Sequence, residues 1–389
     1  MDKGLAEFSL LGGPLHRLGC RLGLVRNGTD TVPLGLVLGV VPWMVLAVLA
    51  LVEGLGRVLF SMEAIGGSVR LLVAIPLLFA CEAVIDPKFA AFVRDIVRSQ
   101  VVPAAARPAL EFEIARIARW RDAWLPEACF LLVVALLAWS DSNQNYFAHL
   151  SGSREGSSNP SAVSAATWTS QWYWAVCMTM FRFLLLRWLW RLALWCFFLW
   201  RVSRLDLHLV PGHPDRAGGL GYLEFVHIGF APLVFALSAT QSASLAQEIA
   251  SGRMTFAAIY PSVAIALVVD ALLFVGPLFV FSRKLRKCRV KGILDYGELG
   301  ERYANEFESK WLGPGPAPDE PLLGTSDVQS LANLIDAVDD VRDMRTVPMS
   351  ADMLIYLAVA ALLPLLPLAL FQYPLATLLE KFLEMLTGV

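Results

Sequence analysis

The hydrophobic residues of this chain are collected into long blocks, and short charged segments separate them. A helix that crosses the hydrocarbon core of a bilayer needs about 20 such residues, and most of the blocks approach or reach that length. The pattern predicts an all-α fold, a polytopic membrane helix bundle with about seven transmembrane spans and a small helical cytoplasmic segment. The predicted spans are residues 32–52, 69–85, 125–139, 172–200, 228–246, 257–281 and 353–371.

These spans divide the chain into three regions. Residues 1–282 form a transmembrane region of six spans, with a cytoplasmic loop at 86–124. Residues 283–350 form the cytoplasmic helical segment, and residues 351–389 hold the last span and a C-terminal tail.

The cytoplasmic segment shows two amphipathic helices. Leu299, Tyr303 and Phe307 recur every four residues, which gives one apolar helical face. Ser326, with a glutamine three residues later, is typical of the start of a second helix. Helices this short need a packing partner. We expect them to pair within the chain, and a contact between copies in a homo-oligomer is the alternative.

Basic residues indicate the orientation. Lysine and arginine cluster in residues 1–31, 86–124, 201–227 and 282–352, while the loops between these clusters hold almost none. The positive-inside rule therefore places the N-terminus in the cytoplasm. Seven crossings leave the C-terminus outside, whereas a break at the prolines of the last span returns it inside as a re-entrant hairpin.

The composition narrows the functional classes. Of 389 residues, 57% are hydrophobic and 17% are charged, against about 25% charged in soluble domains. The net charge of -2 gives no basic field for nucleic acid, so no nucleic-acid partner is expected. No phosphate-binding glycine loop or zinc-type spacing occurs, so no cofactor is expected. The predicted partners are the lipid bilayer and a small ion or solute.

Charged residues inside the spans are the main candidates for function, because a charge in hydrocarbon costs a few kcal/mol or more. The fourth span carries Arg182, Arg187 and Arg191. Arg191 is expected to reach the interface. Arg182 is expected near mid-depth, where it needs either an acidic partner, Asp270 or Glu82, or a water-filled cavity. Such a pair either fixes helix register or belongs to a transport path.

Small polar residues in the fifth span are a second candidate. Ser238 and Gln241 nearly share one helical face. Residues of this kind either join helices through hydrogen bonds or line a wet path.

A polar loop at 206–227 is the third candidate. It contains Asp206, His208, His213 and Asp215, a set that can bind a metal or move protons in an embedded enzyme. The spacing fits no metal template. The favoured interpretation is a structured loop whose histidines and aspartates cap helix ends.

Three segments together resemble a family of multi-pass bacterial inner-membrane proteins. They are Asp206–Leu223, Leu294–Leu312 and Thr325–Arg345. The resemblance implies a bacterial inner-membrane location and implies no activity or site residue. The patterns together predict a channel or transporter for a small ion or solute. An embedded enzyme that uses the polar loop, and a scaffold or sensor, are the alternatives.

Overall fold

A computed structural model describes residues 8–25, 30–59, 61–62, 64–152, 168–313 and 326–372. Regular structure in these residues is helical, as predicted, and no strand is present among them. The helices are α1 (Pro14–Arg21), α2 (Val32–Val52), α3 (Ile65–Arg98), α4 (Arg107–Arg121), α5 (Trp124–Gly152), α6 (Trp168–Val202), α7 (Tyr222–Ile228), α8 (Ala231–Ala250), α9 (Ile259–Phe274), α10 (Ser282–Trp311), α11 (Ser326–Arg342) and α12 (Ala351–Leu362).

Six helical segments of the described chain are long and apolar enough to cross a membrane. A seventh is added if Ala104–Arg121 and Trp124–Ser140, which meet at a 40° bend, count as one span. The apolar helices are those of a membrane-embedded protein. The predicted fold class is therefore confirmed as a helical bundle with six or seven candidate spans.

Several predicted boundaries change. The second span is predicted to end at residue 85, but α3 continues to Arg98, and the third is predicted to end at residue 139, but α5 continues to Gly152. Residues 153–167, 314–325 and 373–389 lie outside the described residues. The last span becomes a 3-10 helix over Leu363–Phe371, where Pro364 and Pro367 cannot donate α-helical hydrogen bonds.

The spanning helices run alternately between two ends of the bundle. At one end lie residues 8–25, the connections after α3, α4 and α6, and the helices α10 and α11; we call this the basic end. At the other end, which we call the Glu53 end, the Glu53 carboxylate accepts hydrogen bonds from the backbone N–H of Trp168 (2.7 Å) and the hydroxyl of Thr169 (2.6 Å). Glu53 therefore fixes the end of α2 to the start of α6.

Two glycines set the close approach of α2 to α3. A Cβ atom on Gly35 would lie 2.6 Å from the Cβ of Phe79, and one on Gly39 would lie 2.3 Å from the carbonyl oxygen of Leu71. Small residues at such crossings allow membrane helices to pack backbone against backbone. The α2–α3 pair thus depends on the absence of a side chain at both positions.

The core is richest in aromatic side chains next to the basic end. Trp195 is fully buried, and its ring centroid lies 4.4 Å from that of Phe89. The indole N–H of Trp195 donates to Nε2 of His227, while Nδ1 of His227 lies 2.5 Å from the carbonyl oxygen of Phe274. His227 thereby satisfies a carbonyl at the point where α9 gives way to a 3-10 turn.

The two amphipathic helices pair within the chain, as predicted. Asp327, near the start of α11, receives an ion pair from Lys310 (2.8 Å) and a hydrogen bond from the indole of Trp311 (3.1 Å). Tyr303 donates to the Asp327 carbonyl at 3.2 Å. The alternative of a contact between copies of the chain stays a prediction.

The Glu53 contact makes the stability of the bundle depend on pH. The hydrogen bond from the Thr169 side chain holds the pKa of the Glu53 carboxyl below its usual 4.5. The stabilisation is therefore present above pH 4.5 and disappears as the pH falls through the lowered pKa. We expect Glu53→Gln to lower the thermal transition of the detergent-solubilised protein at neutral pH, and the difference from wild type to shrink on acidification. A difference that is constant with pH would contradict this role.

Candidate functional site

A buried ion-pair cluster joins α3 to α6. One oxygen of the Glu82 carboxylate, Oε1, accepts from Arg187 Nη1 at 3.1 Å and also contacts Arg191 Nη1. The three residues are 2%, 3% and 7% exposed. Arg187 and Arg191 are four residues apart, so both extend from the same face of α6 toward α3.

The candidate pairing of Arg182 with Glu82 is not found, because Glu82 pairs with Arg187 and Arg191. Arg182 precedes Arg187 by five residues, which turns it about 140° round the helix, away from the face that meets Glu82. It is half-buried and forms an ion pair with neither Glu82 nor Asp270. The prediction that Arg191 reaches the interface is also wrong, because its guanidinium is buried against Glu82.

A second carboxylate approaches the cluster from α5. Glu127 Oε1 lies 3.7 Å from Nε of Arg187, and Glu127 Oε2 accepts from the backbone N–H of Leu15 at 3.4 Å. The Glu127 side chain is 13% exposed. Arg187 thus lies between acids on two different helices.

The segment Phe8–Gly12 covers the cluster at the basic end. The Asp86 carboxylate, one helical turn beyond Glu82, accepts from the hydroxyl of Ser9 (2.7 Å) and from the backbone N–H groups of Leu10 (2.9 Å) and Leu11 (3.2 Å). Asp86 is 6% exposed. The segment forms no helix, and these three hydrogen bonds to one carboxylate hold it in place.

Arginines and an aromatic ring complete the attachment of this segment. Arg187 Nη2 donates to the Gly12 carbonyl at 3.2 Å, and Arg121 Nη1 donates to the Ser9 carbonyl at 2.8 Å. Phe8 stacks on Phe198 with ring centroids 4.5 Å apart. The cover is therefore bound through the same charges that form the cluster.

Three polar atoms in the cluster have no hydrogen-bond partner. They are Glu82 Oε2, Arg191 Nη2 and Trp188 Nε1. The three residues, together with Asp86, line one cavity of about 10 Å³, which is near the lower limit for a single water molecule. Two donors and one acceptor around that space match the hydrogen-bonding capacity of water.

The charges of the cluster are unequal. Glu82, Asp86 and Glu127 supply three carboxylates, whereas Arg187 and Arg191 supply two guanidinium groups. Arg121 is paired with its neighbour Asp122 at 2.6 Å and adds no net charge. The arrangement can therefore hold a proton or compensate a small cation, with Glu82 and Asp86 on the same cavity.

The other predicted path residues lie elsewhere. Ser238 is buried, and Gln241 donates from Nε2 to the Ser262 carbonyl at 3.0 Å, which joins α8 to α9. Asp270 lines a groove between α8, α9 and α12 and has no ion pair within the described residues. Of the six residues proposed for the path, the structure brings together Glu82 and Arg187.

The polar loop is organised around Asp215. Its carboxylate accepts from the backbone N–H groups of Ala217 (2.8 Å), Gly219 (3.0 Å) and Gly221 (2.7 Å), just before α7. The ring of His213 lies 2.8 Å from the same carboxylate. These bonds make the loop a structured turn, as the favoured interpretation of the sequence expects, but no side chain caps the first turn of α7.

The remaining residues of the loop do not converge on a site. The Asp206 and His208 side chains are exposed, and the backbone N–H of His208 donates to the Val101 carbonyl at 2.8 Å. No group of three or more metal-ligating side chains occurs in the part of the chain that the structure describes.

Sequence reasoning missed two functional candidates. Asp86 immediately follows the predicted second span and was counted with the loop. Arg70 is in the first turn of that span, where a charge is as unusual as in the fourth span. In both cases the residue type within an apolar block was the available signal.

Removal of Glu82 should destabilise the bundle strongly. Glu82→Ala leaves two guanidinium groups buried without a carboxylate, a change that costs about 3–5 kcal/mol in comparable sites. Glu127→Ala, at the edge of the cluster, should cost less. Thermal unfolding of both variants in detergent tests whether Glu82→Ala loses more stability than Glu127→Ala. Equal losses would contradict a cluster centred on Glu82.

Docking of the N-terminal segment should weaken in acid. Burial lowers the pKa of His16 below its usual 6.5, with Glu82, Asp86, Arg187 and Arg191 as the charged groups facing it. Below pH 6.5, His16 therefore binds a proton more readily when the segment is undocked than when it is docked. Protonation thus favours the undocked state, and docking weakens as the pH falls.

Hydrogen–deuterium exchange of the Leu10 and Leu11 amides, corrected for intrinsic rates, measures this change. Protection should fall in wild type between neutral pH and about one unit below the usual histidine pKa. His16→Gln should show a smaller response over that range. An identical response in both proteins would exclude His16 as the cause.

No family model matches the chain, and searches of curated proteins and of solved structures found no significant match. What the protein does must therefore be inferred from its own residues.

Proposed function

We propose that this chain is a transport protein of a bacterial inner membrane that moves a small ion or solute, with its N-terminus in the cytoplasm. The observation that carries the proposal is the Glu82–Arg187–Arg191 cluster. It is buried among candidate membrane spans and retains unpartnered polar atoms around a water-sized cavity. Buried charges in membrane helices are costly and mark transport paths or proton relays by default.

The cover over the cluster supports the same function. Phe8–Gly12 is attached through hydrogen bonds to Asp86 and Arg187, and these bonds can exchange with water one at a time. The basic end of the bundle faces the cytoplasm if the positive-inside rule holds. We infer that this segment closes the path on its cytoplasmic side and that its release opens it.

The two alternatives have less support. An enzyme centred on the polar loop needs a free acid or base, but Asp215 accepts three backbone N–H bonds and orders the start of α7. A scaffold or sensor finds support in the pairing of α10 with α11, whose outer faces remain exposed. Neither alternative explains the buried cluster.

Flux from proteoliposomes tests the proposal. Wild-type protein should pass protons, potassium or chloride selectively when each gradient is imposed in turn. Glu82→Gln, which removes one charge at nearly constant size, should change the rate or the selectivity by about tenfold, the factor that corresponds to 1.4 kcal/mol.

Glu248→Gln is the matched control, because it makes the same substitution at an acid near the C-terminus of α8, outside the cluster. It should leave the flux unchanged. Asp270→Asn tests a separate route through the groove of α8, α9 and α12. Absence of flux under every gradient, from protein shown to be folded, would reject transport of these ions and favour the scaffold or enzyme.

A further inference from the structure

A cleft at the Glu53 end lies between α2, α3, α6 and α8. Its volume is about 380 Å³, within the range of sites for small organic ligands. Most of the wall is apolar, and it includes Leu46, Ala50 and Leu55. Neutral polar side chains on the wall are Thr169, Ser170, Tyr173 and Gln247.

Arg70 lies directly behind this wall. Its Nη1 donates to the hydroxyl of Tyr173 and its Nη2 to the hydroxyl of Ser244, both at 2.7 Å. The guanidinium is half-buried, and no carboxylate among the described residues is within ion-pair distance of it. A cation between membrane helices with only neutral partners lacks the counter-charge that normally accompanies it.

Tyr173 connects this charge to the cleft. Its oxygen accepts a hydrogen bond from Arg70, and its own hydroxyl hydrogen has no acceptor among the described residues. A hydroxyl that accepts from a cation becomes a better donor, because hydrogen bonds in a chain polarise one another. The Tyr173 hydroxyl is therefore prepared to donate to an anion in the cleft.

The backbone around these two residues is unusual. Arg70 begins a π-helical turn, Arg70–Ala74, and Tyr173 begins another, Tyr173–Met178. Pro76 cannot donate the α-helical bond near the first turn, and the Thr179 hydroxyl donates to the Trp174 carbonyl, five residues back, in the second. Such turns are rare in proteins overall, and those that occur are often found at functional sites.

Glycines bring the surrounding side chains close. A Cβ atom on Gly67 would lie 2.9 Å from the ring of Tyr173, and one on Gly66 would lie 2.9 Å from the side-chain oxygen of Gln247. Glu53, an acid at this end of the bundle, is engaged by Thr169 and by backbone N–H groups at the start of α6. Among the described side chains that line the cleft, none carries a negative charge, and Arg70 behind the wall is positive.

We propose that this cleft binds a small amphiphilic anion, a carboxylate or phosphate attached to an apolar group, through Tyr173 with Arg70 behind it. The apolar wall takes the body of the ligand, and the Arg70–Tyr173 pair takes its charged group. Binding itself is independent of transport. The further statement that this anion is the transported solute rests on the proposed function.

Calorimetric titration of the detergent-solubilised full-length protein with benzoate tests the site without any flux measurement. Inorganic phosphate is the comparison ligand that lacks an apolar body. Benzoate should bind more tightly than phosphate. Tyr173→Phe, which removes one hydroxyl, and Arg70→Gln should each weaken benzoate binding about tenfold or more, the range for a hydrogen bond to a charged group.

Two matched variants control for general effects. Tyr260→Phe changes an exposed tyrosine on α9, and Arg253→Gln changes an exposed arginine at the same end of the bundle. Both should bind benzoate as wild type does. Retained binding in these controls, with loss in Tyr173→Phe, assigns the site even if Arg70→Gln is unstable.

Competition between benzoate and a lipid identifies the source of the anion. Phosphatidylglycerol and phosphatidylcholine are each added in mixed detergent micelles. If phosphatidylglycerol displaces benzoate and phosphatidylcholine does not, the cleft is assigned to an anionic lipid headgroup. If neither lipid displaces benzoate, it is assigned to a soluble anion. Failure of wild type to bind either benzoate or phosphatidylglycerol, or equal binding by wild type and Tyr173→Phe, would overturn the proposal. Flux from a protein that binds neither benzoate nor phosphatidylglycerol would overturn it and leave the transport function standing.

Discussion

The contact of Glu82 with Arg187 and Arg191 is the constraint on which the architecture depends. Two cations and one anion are removed from water between α3 and α6, and each is costly to bury alone. The pairing fixes the register of these helices and sets the position of everything attached to them. Glu127 on α5 reaches Arg187, and the covering segment is bound to Asp86 one turn further along α3. The electrostatics of one site thus organise three helices and the N-terminal residues.

The two ends of the bundle differ in chemistry. At the basic end, acids outnumber arginines around a cavity that has room for about one water molecule. At the Glu53 end, Arg70 is bound by the neutral hydroxyl groups of Tyr173 and Ser244 beside a much larger and mostly apolar cleft. A transport protein with a solute site at one end and a closed, titratable barrier at the other would have this asymmetry. Both sites lie on α3 and α6, so a shift of one helix against the other would affect them together.

The sequence predicted the helical bundle well and the partners within it poorly. Span positions follow from apolar blocks, and the α10–α11 pair follows from helical periodicity, because both are local properties of the chain. Which side chains contact each other between helices is not a local property of the chain. Asp270 and Glu82 were the candidate partners of Arg182, but the five-residue offset from Arg187 turns Arg182 to a face of α6 that does not meet Glu82. The role of Phe8–Gly12 had no signal in the sequence, since an extended segment held by backbone hydrogen bonds has no periodicity. The turned form of the loop around Asp215, in contrast, follows from its prolines and glycines, which are local features of the chain.

The central claim is that Phe8–Gly12 closes a transport path above the buried cluster. The most direct measurement is ion flux from liposomes that contain the Asp86→Ala variant, which removes the acceptor for Ser9, Leu10 and Leu11 but leaves Glu82 and both arginines in place. The account predicts flux several-fold faster than that of wild type, from folded protein and with the same ion preference. Flux equal to or slower than wild type, with the segment shown by hydrogen exchange to be released, would contradict it.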